Sequence, residues 1–547
     1  MDKLSKILKR YFWLIGLIPI YLYYKNLLIY SQNIPHWDDY ALINFINNYQ
    51  ESDSYFEKIQ LIFAQHNEHR IAFTRIISLL IYKVNGSLNF QWMIWMGNFA
   101  LLGILCIFYR FLKKNQISIN YLVPICFFLF QLSLYENSYW GMASVQNFWV
   151  VFFVLMAFWQ ISNHKIPYFW AFIAAFTSAN GVLFIPLIGV MIFLFERNYQ
   201  ALIKFSFFSL ILVLIYFLPY QQPPNSQPIT IDIFNNAKAA LMNFGSVLDF
   251  NPNRLLELRI TQTSLFGGLI LLFFGGGIIY KYLNVIQIKN TNHFNLYFLA
   301  AILLFGFGTC CLTSISRLQY GFYVFLTSKY KIYSIMGMSS LYLLLIINFQ
   351  YIGKRLFLFI FSILSIYLFI FSYYYSIGPI KDYYKSEIAD YYNGWHNGKE
   401  KVETNPNSCF QYSSTFLDWH INELSVKNKF LLGKVEVRSN SVFIQNQEFI
   451  TSGIESGNGA YLEFTSATNR YIFAAKQEIN NNKKAYFLKN QSIYGKGFTA
   501  EIPLTEIVSG NYFINILDKS DHSIHRIATN YYIEIEGIKA PEIKQNW

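Results

Sequence analysis

The sequence predicts an α-helical membrane protein that crosses the bilayer many times and ends in a β-sandwich domain. Three observations lead to this fold class. Hydrophobic residues make up 54% of the 547 residues and charged residues only 14%, whereas an average soluble protein carries about 25% charged residues. The apolar residues form repeated runs that short basic clusters separate. From about residue 382 the composition changes to short runs typical of β-strands.

About eleven apolar segments are predicted as transmembrane helices. Crossing the hydrocarbon core takes about 20 mostly apolar residues at a rise of about 1.5 Å per residue. The fifth and sixth segments are shorter, so full crossing by this hairpin stays open. The segments are residues 12–30, 92–112, 119–134, 148–161, 167–178, 182–195, 202–218, 265–280, 294–312, 332–348 and 356–375.

The basic residues between these segments predict the orientation of the chain. Lys and Arg precede the first segment, and every Lys/Arg-rich short loop then falls on the same side of the membrane as the N-terminus. Cytoplasmic loops carry this excess of positive charge. We therefore expect a cytoplasmic N-terminus, an uncleaved first span and, with an odd number of spans, a C-terminal region outside the cytoplasm.

Three domains follow from this pattern. Residues 1–380 form the membrane domain, in which the first outer loop, 31–91, contains amphipathic helices at 42–49, 56–63 and 71–84. Residues 381–425 form a partly helical connection. Residues 426–547 form a β-sandwich because short β-type runs alternate there with turn residues. The runs are 435–438, 441–444, 460–464, 471–473, 485–488, 512–516 and 531–535.

Several functional classes are excluded by composition and motifs. The net charge of +12 comes from 43 Lys and Arg against 31 Asp and Glu, but these residues are scattered and form no nucleic-acid recognition module. The five cysteines have neither a disulfide framework nor zinc-type spacing. No phosphate-binding G-x-x-x-x-G-K-[ST] motif occurs, which argues against an ATP-driven pump.

Asp38 and Asp39 are the predicted catalytic residues. They follow the first apolar segment closely, so their carboxylates lie beside the membrane, where a carrier phosphate would lie. Moving a sugar from a phospholipid carrier to a hydroxyl needs a carboxylate that takes the acceptor proton. Repulsion between adjacent carboxylates raises the pKa of one of them, which suits a base. The alternative is an N-cap pair that opens the next helix, and both roles can coexist.

A second candidate cluster lies in the same outer loop, at residues 65–70. His66, Glu68 and His69 invite a metal interpretation, but their H-x-E-H spacing matches no zinc-protease motif. We predict that these residues, with Arg70, form the polar wall of a substrate pocket near Asp38. Metal dependence stays open: no cofactor is certain, and a divalent cation is one alternative. Simple exposure of these side chains to solvent is the alternative to the pocket wall.

Four further residues, two of them cations, complete the set of candidate substrate-binding residues. Arg317 and Lys329 lie towards the ends of a largely apolar outer loop, 314–330. Cations near membrane depth usually pair, and a carrier phosphate suits both, since Arg binds it bidentately and Lys as a point charge. Snorkelling to the interface is the alternative. Glu136 and Trp140 are further substrate-binding candidates, although an aromatic belt explains Trp140 equally well.

Four features occur together in this chain: Trp37-Asp38-Asp39-Tyr40 just after the first span, interfacial helices in the same loop, about eleven spans and an outer C-terminal domain. In this combination the chain resembles the GT-C superfamily of glycosyltransferases. That superfamily includes the protein O-mannosyltransferases, the lipid A aminoarabinose transferases and the bacterial O-antigen glucosyltransferases. The resemblance implies a polyprenyl-phosphate-linked sugar donor and a glycan or lipid acceptor of the O-antigen or lipopolysaccharide type. It also implies transfer on the outer face of the bacterial cytoplasmic membrane and a catalytic Asp in the first loop, here Asp38 or Asp39.

Two alternatives stay open. An O-antigen polymerase or ligase is also polytopic, but usually lacks an acidic pair after the first span. A polysaccharide transporter or flippase predicts charges at mid-membrane and inverted repeats, whereas most apolar runs here carry no central charge. The sequence leaves undetermined the sugar, the acceptor, inversion or retention at the sugar, the oligomeric state and which Asp is the base.

Overall fold

In a computed structural model the chain divides into two compact units. The first consists of Met1–Leu28 and Leu42–Ser376, and the second of Ile29–Ala41 and Ile377–Trp547. The residues that the structure describes are 11–218, 220–222, 232–270, 276, 294–349, 351–397, 409–410, 421–423, 432–451, 457–479, 494–520 and 523–536.

The first unit is built from α-helices, and the described residues include seven helices long and apolar enough to cross a membrane. These are the helices of a multi-pass membrane protein, because helices satisfy their own backbone hydrogen bonds in lipid. They are Phe12–Tyr30, Phe90–Lys114, Gly141–Ile161, Tyr199–Phe217, Phe294–Tyr320, Ser328–Asn348 and Tyr351–Asn393. Ile119–Leu129 and Leu132–Ser138, bent by 46°, make an eighth if the pair is one broken span.

The remaining predicted spans are accounted for individually. The fifth and sixth segments form the helices Tyr168–Ala175 and Ala179–Phe195, of 8 and 17 residues. The shorter is about 12 Å long and cannot cross the hydrocarbon core. The eighth segment, 265–280, lies mostly outside the described residues. The described part of the chain therefore supports seven or eight spans, and eleven stays a prediction.

The last apolar helix is longer than a membrane requires. It runs for 47 residues, Tyr351–Asn397, which corresponds to about 70 Å against about 30 Å of hydrocarbon. Its apolar first part, residues 356–375, contains the predicted final span. The part beyond residue 376 is rich in Tyr, Lys, Asp and Glu and belongs to the second unit. We therefore treat residues 377–397 as lying outside the spanning segment.

The first outer loop contains the three predicted helices, Asp39–Glu51, Tyr55–Phe63 and Ala72–Asn85. Between the last two helices, the two-residue strands β1 (Gln65–His66) and β2 (His69–Arg70) pair as a short antiparallel hairpin. Two buried guanidinium groups bind the end of the helix that precedes this hairpin. Arg70 Nη1 donates to the Phe63 carbonyl at 2.6 Å, and Arg75 Nη1 donates to the carbonyls of Leu61 at 2.9 Å and Ala64 at 2.5 Å. These arginines satisfy carbonyls that the end of a helix leaves unpaired.

A buried ion network fixes the outer loop that contains the helices Ile233–Phe244 and Leu256–Leu269. Arg259 donates to both carboxylate oxygens of Asp249, from Nε at 2.9 Å and from Nη2 at 2.8 Å. Lys331 Nζ lies 3.6 Å from the same carboxylate and donates to the Asp249 carbonyl at 3.1 Å. The pair therefore ties this loop to the start of the helix Lys331–Asn348.

The second unit contains two sheets that share one hydrophobic core. The five-stranded sheet has the order β3-β11-β10-β6-β7 and the four-stranded sheet β4-β5-β9-β8. All pairs are antiparallel except β11 with β3. The strands are β3 Ile421–Glu423, β4 Lys434–Val437, β5 Ser441–Asn446, β6 Gly459–Thr465, β7 Arg470–Ala474, β8 Lys476–Ile479, β9 Tyr494–Pro503, β10 Gly510–Lys519 and β11 Ile524–Ile535.

The two inner faces contribute alternate residues to this core, for example Val442 and Ile444 from one sheet and Leu462 and Phe464 from the other. Six of the seven predicted runs are strands. The seventh, 485–488, lies outside the described residues. Strands β3, β8 and β9 were not predicted.

Residues of the last helix cover part of the other face of the five-stranded sheet. Ala389 and Tyr392 pack against Tyr461 and Ile472. Buried Lys385 donates from Nζ to the carbonyls of Ala460 at 2.8 Å and Ala475 at 2.6 Å. The first part of the predicted connection is therefore helical and fastened to the sheet.

We predict that Asp249→Asn destabilises the protein by about 3–5 kcal/mol, because it leaves two buried cations without their counter-charge. Burial alone would raise the pKa of Asp249, but Lys331 and Arg259 lower it below its usual value. Its contribution to stability is therefore present above the pKa of the unfolded chain, about 3.9, and is lost as the pH falls through the folded pKa.

Thermal unfolding in detergent, followed between pH 7 and pH 3, measures this effect. Glu257→Gln, at an exposed carboxylate of the same loop, serves as the control and should stay within about 0.5 kcal/mol of wild type. Equal melting temperatures for Asp249→Asn and wild type at pH 7 would contradict the role given to the ion network.

Candidate functional site

The motif Pro35–Tyr40 forms a tight turn that begins a helix. The Asp39 N–H donates to the His36 carbonyl at 2.9 Å, and the His36 N–H donates to Asp39 Oδ2 at 3.1 Å. This reciprocal pair resembles a capping box, in which a carboxylate binds the N–H of a residue three positions earlier. Trp37, between them, has φ 45°, a conformation rare for a bulky side chain. Asp39 therefore holds the turn that precedes the helix, whereas an N-cap side chain would accept an N–H from the first turn of the helix.

The two adjacent aspartates have different environments. Asp39 is fully buried, whereas Asp38 is partly accessible. Trp37 is 66% exposed and stacks on the His36 ring at 4.7 Å. Of the two carboxylates, Asp38 is the one that a substrate hydroxyl can approach from solvent. Observed backbone strain of this kind recurs at functional sites.

Glu387 is a third carboxylate beside this turn. Its Oε1 lies 3.7 Å from His36 Nδ1, and the residue is 6% exposed. Burial raises the pKa of Glu387 well above its usual value. A hydrogen bond with Tyr383 opposes this rise, and the charges of Asp39 and Asp390 add to it. The turn thus packs against a buried carboxyl group whose pKa is raised.

A separate pocket of about 320 Å³ lies among the helices of the first unit. It brings together four of the predicted substrate-binding residues, Glu68, His69, Arg317 and Lys329. They come from the first outer loop and from both ends of the outer loop 314–330. A pocket of this size falls within the usual range for small-molecule sites, about 300–1,000 Å³.

An exchangeable ion pair crosses this pocket. Arg317 Nη2 lies 3.4 Å from Glu68 Oε1, and the two side chains are 35% and 40% exposed. Exposed pairs of this kind contribute only about 0–1 kcal/mol. An incoming anion can therefore replace Glu68 as the partner of Arg317 at small cost, so the pair can serve as a ligand site.

Lys329 is held by Glu136 and its neighbours. The Lys329 N–H donates to Glu136 Oε2 at 3.1 Å, and the Asn137 amide donates to the Lys329 carbonyl at 2.7 Å. Lys329 Nζ lies 4.7 Å from the centre of the Trp140 ring. Glu136 and Trp140, predicted as substrate-binding residues, therefore contact Lys329 in this structure.

Two buried oxygens of pocket-lining residues have no hydrogen-bond partner among the described residues. They are Asn180 Oδ1 and Thr309 Oγ1. The other amide atom of Asn180 donates to the Tyr333 hydroxyl at 2.8 Å. Buried polar atoms without partners are uncommon in folded proteins. They mark this wall of the pocket as a place where a polar ligand atom could bind.

The remaining predicted residues of the 65–70 cluster differ in environment. His69 lines the pocket, and its Nδ1 accepts the Ala179 N–H at 3.4 Å. His66 is buried in the hairpin, and Arg70 donates from Nε to the Tyr216 carbonyl at 2.9 Å as well as to Phe63. Arg70 thus holds helix ends in this structure. Its role in substrate binding stays a prediction.

The candidate residues therefore form two groups. Asp38 and Asp39, with His36 and Glu387, belong to the second unit, and the pocket residues belong to the first. Among the described residues, no group of three or more His, Cys, Asp or Glu side chains could hold a metal ion.

Sequence reasoning missed Glu387, Asn180 and Tyr330. Glu387 lies in a polar helical stretch without a motif. Asn180 was singled out only as part of a short break between two helices, and Tyr330 only as part of a loop. The signal that could have found Asn180 is the amide itself, placed between two apolar runs.

The chain was also compared with known proteins, and no family model, curated protein or solved structure matches it.

We predict that replacing Glu387 by Gln removes a pH dependence of stability. Because its folded pKa is raised, Glu387 contributes stability that is fully present below the unfolded pKa, about 4.3, and is lost as the pH rises through the folded value. The melting temperature of wild type should therefore fall more steeply than that of Glu387→Gln between pH 4 and pH 8.

Differential scanning fluorimetry of the purified protein measures both curves. Glu534→Gln, at an exposed carboxylate of β11, should reproduce the wild-type pH profile. Parallel curves for wild type and Glu387→Gln would show that Glu387 is ionised at neutral pH in the folded protein, against the environment described above.

Proposed function

We propose that this chain is a membrane glycosyltransferase of the GT-C type. It moves a sugar from a polyprenyl-phosphate carrier to a glycan or lipid acceptor of the O-antigen or lipopolysaccharide type, on the outer face of the bacterial cytoplasmic membrane. The observation that carries the proposal is the pocket in the helical unit, where Glu68, His69, Arg317 and Lys329 meet. This proposal includes the eleven spans expected from the sequence.

The pocket suits a phosphate attached to an apolar chain. Arg317 offers a planar pair of donors and Lys329 a point charge, the two modes by which proteins bind phosphate. The weak Arg317–Glu68 pair keeps the guanidinium charged and oriented until the ligand arrives. The surrounding apolar helices offer a surface on which a polyprenyl chain can lie.

The same cations suit the leaving group. When the acceptor oxygen bonds to the anomeric carbon, the bond between that carbon and the carrier phosphate oxygen breaks, and the carrier leaves as polyprenyl phosphate. Negative charge develops on the phosphate oxygen during this step. In the proposed mechanism Arg317 and Lys329 stabilise this charge, which is the contribution expected of preorganised cations.

Asp38 is the proposed general base. It takes the proton of the acceptor hydroxyl as that oxygen attacks the sugar. Asp39 is the less suitable base, because it is buried and one of its oxygens already accepts the His36 N–H. In this proposal Asp39 is a positioning residue that fixes the turn carrying Asp38. The assignment also gives a role to the strained Trp37, which sets the direction of the Asp38 side chain.

We predict that Asp38→Asn lowers sugar transfer by about 10²–10⁴-fold, the usual contribution of a general base. Membranes with matched amounts of wild type or variant would receive undecaprenyl-phosphate-linked glucose, mannose or aminoarabinose, each radiolabelled, and label in the acceptor fraction would be counted. Asp39→Asn should lose less activity and show a lower melting temperature, because it loosens the turn.

Asp53→Asn, at an exposed acid of the same loop, is the matched control and should retain full activity. Full transfer by both Asp38→Asn and Asp39→Asn would rule out the proposed mechanism and favour a polymerase, ligase or transporter. Movement of the labelled donor from one leaflet of sealed vesicles to the other, without transfer in any variant, would favour a flippase.

A further inference from the structure

Among the described residues, only part of the outer face of the five-stranded sheet is covered. Ala389 and Tyr392 of the last helix cover the end where Tyr461 and Leu517 lie. At the other end, Phe513 of β10 and Tyr532 of β11 are paired across the strands and are 57% and 54% exposed. Their ring centres lie 5.2 Å apart and their planes are inclined by 62°. An edge-to-face pair of large aromatic rings thus lies on an accessible sheet surface.

A bulge widens the sheet next to these rings. Ile514 pairs with Tyr531, but Asn515 pairs with Ala528, so β11 has two extra residues at this point. The Thr529 hydroxyl donates to the Ile514 carbonyl and fastens the bulge. Bulges bend strands and re-aim side chains, often beside binding sites. An open cavity of about 600 Å³ results.

A polar network centred on Glu463, which is fully buried, adjoins this cavity. Glu463 Oε1 accepts Arg470 Nε at 2.7 Å and Arg526 Nη2 at 2.9 Å. Its Oε2 accepts Arg526 Nε at 2.7 Å and Asn515 Nδ2 at 3.1 Å. Arg526 and Asn515 both line the cavity. A carboxylate with this many charge-assisted partners holds its neighbours in fixed orientations.

We propose that this cavity is a binding site for an oligosaccharide, independent of the catalytic site described above. A sugar ring has an apolar face of C–H groups and a rim of hydroxyls. The exposed ring of Phe513, which lines the cavity, offers a stacking surface for the apolar face, and the ring of Tyr532 lies beside it. The planar groups of Arg526 and Asn515, together with Thr465, offer donors and acceptors for the rim.

Two guanidinium groups share the one buried carboxylate of Glu463, which leaves this cluster with a net positive charge. The side chains of Arg470 and Arg526 are 32% and 26% exposed. Sugar hydroxyls can bind the outward edges of these guanidinium groups without separating either of them from Glu463.

The test uses the full-length protein in nanodiscs on a printed array of bacterial surface polysaccharides and their defined oligosaccharides. We expect at least one glycan to be retained by wild type. Affinity for it should fall by about tenfold or more in both Phe513→Ala and Tyr532→Ala, as expected for exposed aromatic anchors. Since both rings are largely exposed, these variants should fold, and unchanged melting temperatures check this.

Phe443→Ala provides the matched control. Phe443 lies in β5 of the other sheet, next to Arg438 at 4.3 Å, so it also combines an aromatic ring with an arginine. This control should bind the glycan within about twofold of wild type. The proposal is overturned if wild type retains no glycan above the level of Phe513→Ala, or if Phe443→Ala loses binding equally.

Discussion

The structure depends on one constraint: a charged side chain that is buried must find its partner within the protein. Arg75 is 7% exposed and donates to carbonyls at the end of a neighbouring helix. Asp249 is 8% exposed and binds two cations. Burial removes water as an alternative partner for these groups. The polar side chains that connect the helices of the first unit therefore also determine where its outer loops lie.

The sequence predicts the long elements well, because their physical causes are local. An apolar run of about 20 residues becomes a helix whatever its neighbours are, and alternating β-type runs such as 441–444 become strands. Strands β8 and β9 were missed because Lys476–Ile479 and Tyr494–Pro503 include Lys, Gln, Glu, Gly and Pro. Their strand conformation is fixed by pairing with each other and with β5, and pairing is a tertiary property.

The candidate site shows the same division between local and tertiary causes. The acidic pair was visible because its residues are adjacent and follow an apolar segment. The contact of Arg317 with Glu68 joins positions 249 residues apart, so only the packing of the helices reveals it. Sequence also treats Asp38 and Asp39 as equivalent. The turn distinguishes them, because Asp39 is fully buried and accepts the backbone N–H of His36, whereas Asp38 is partly accessible.

The hairpin formed by β1 and β2 also bears on how the first loop assembles. Its arginines are charged even when buried, since burial lowers the pKa of Arg75 only to about 10. Their donors meet carbonyls only once the helix Tyr55–Phe63 has formed and ended at the right residue. The two arginines therefore couple the hairpin to the end of this helix, because each element must be in place to complete the hydrogen bonds of the other.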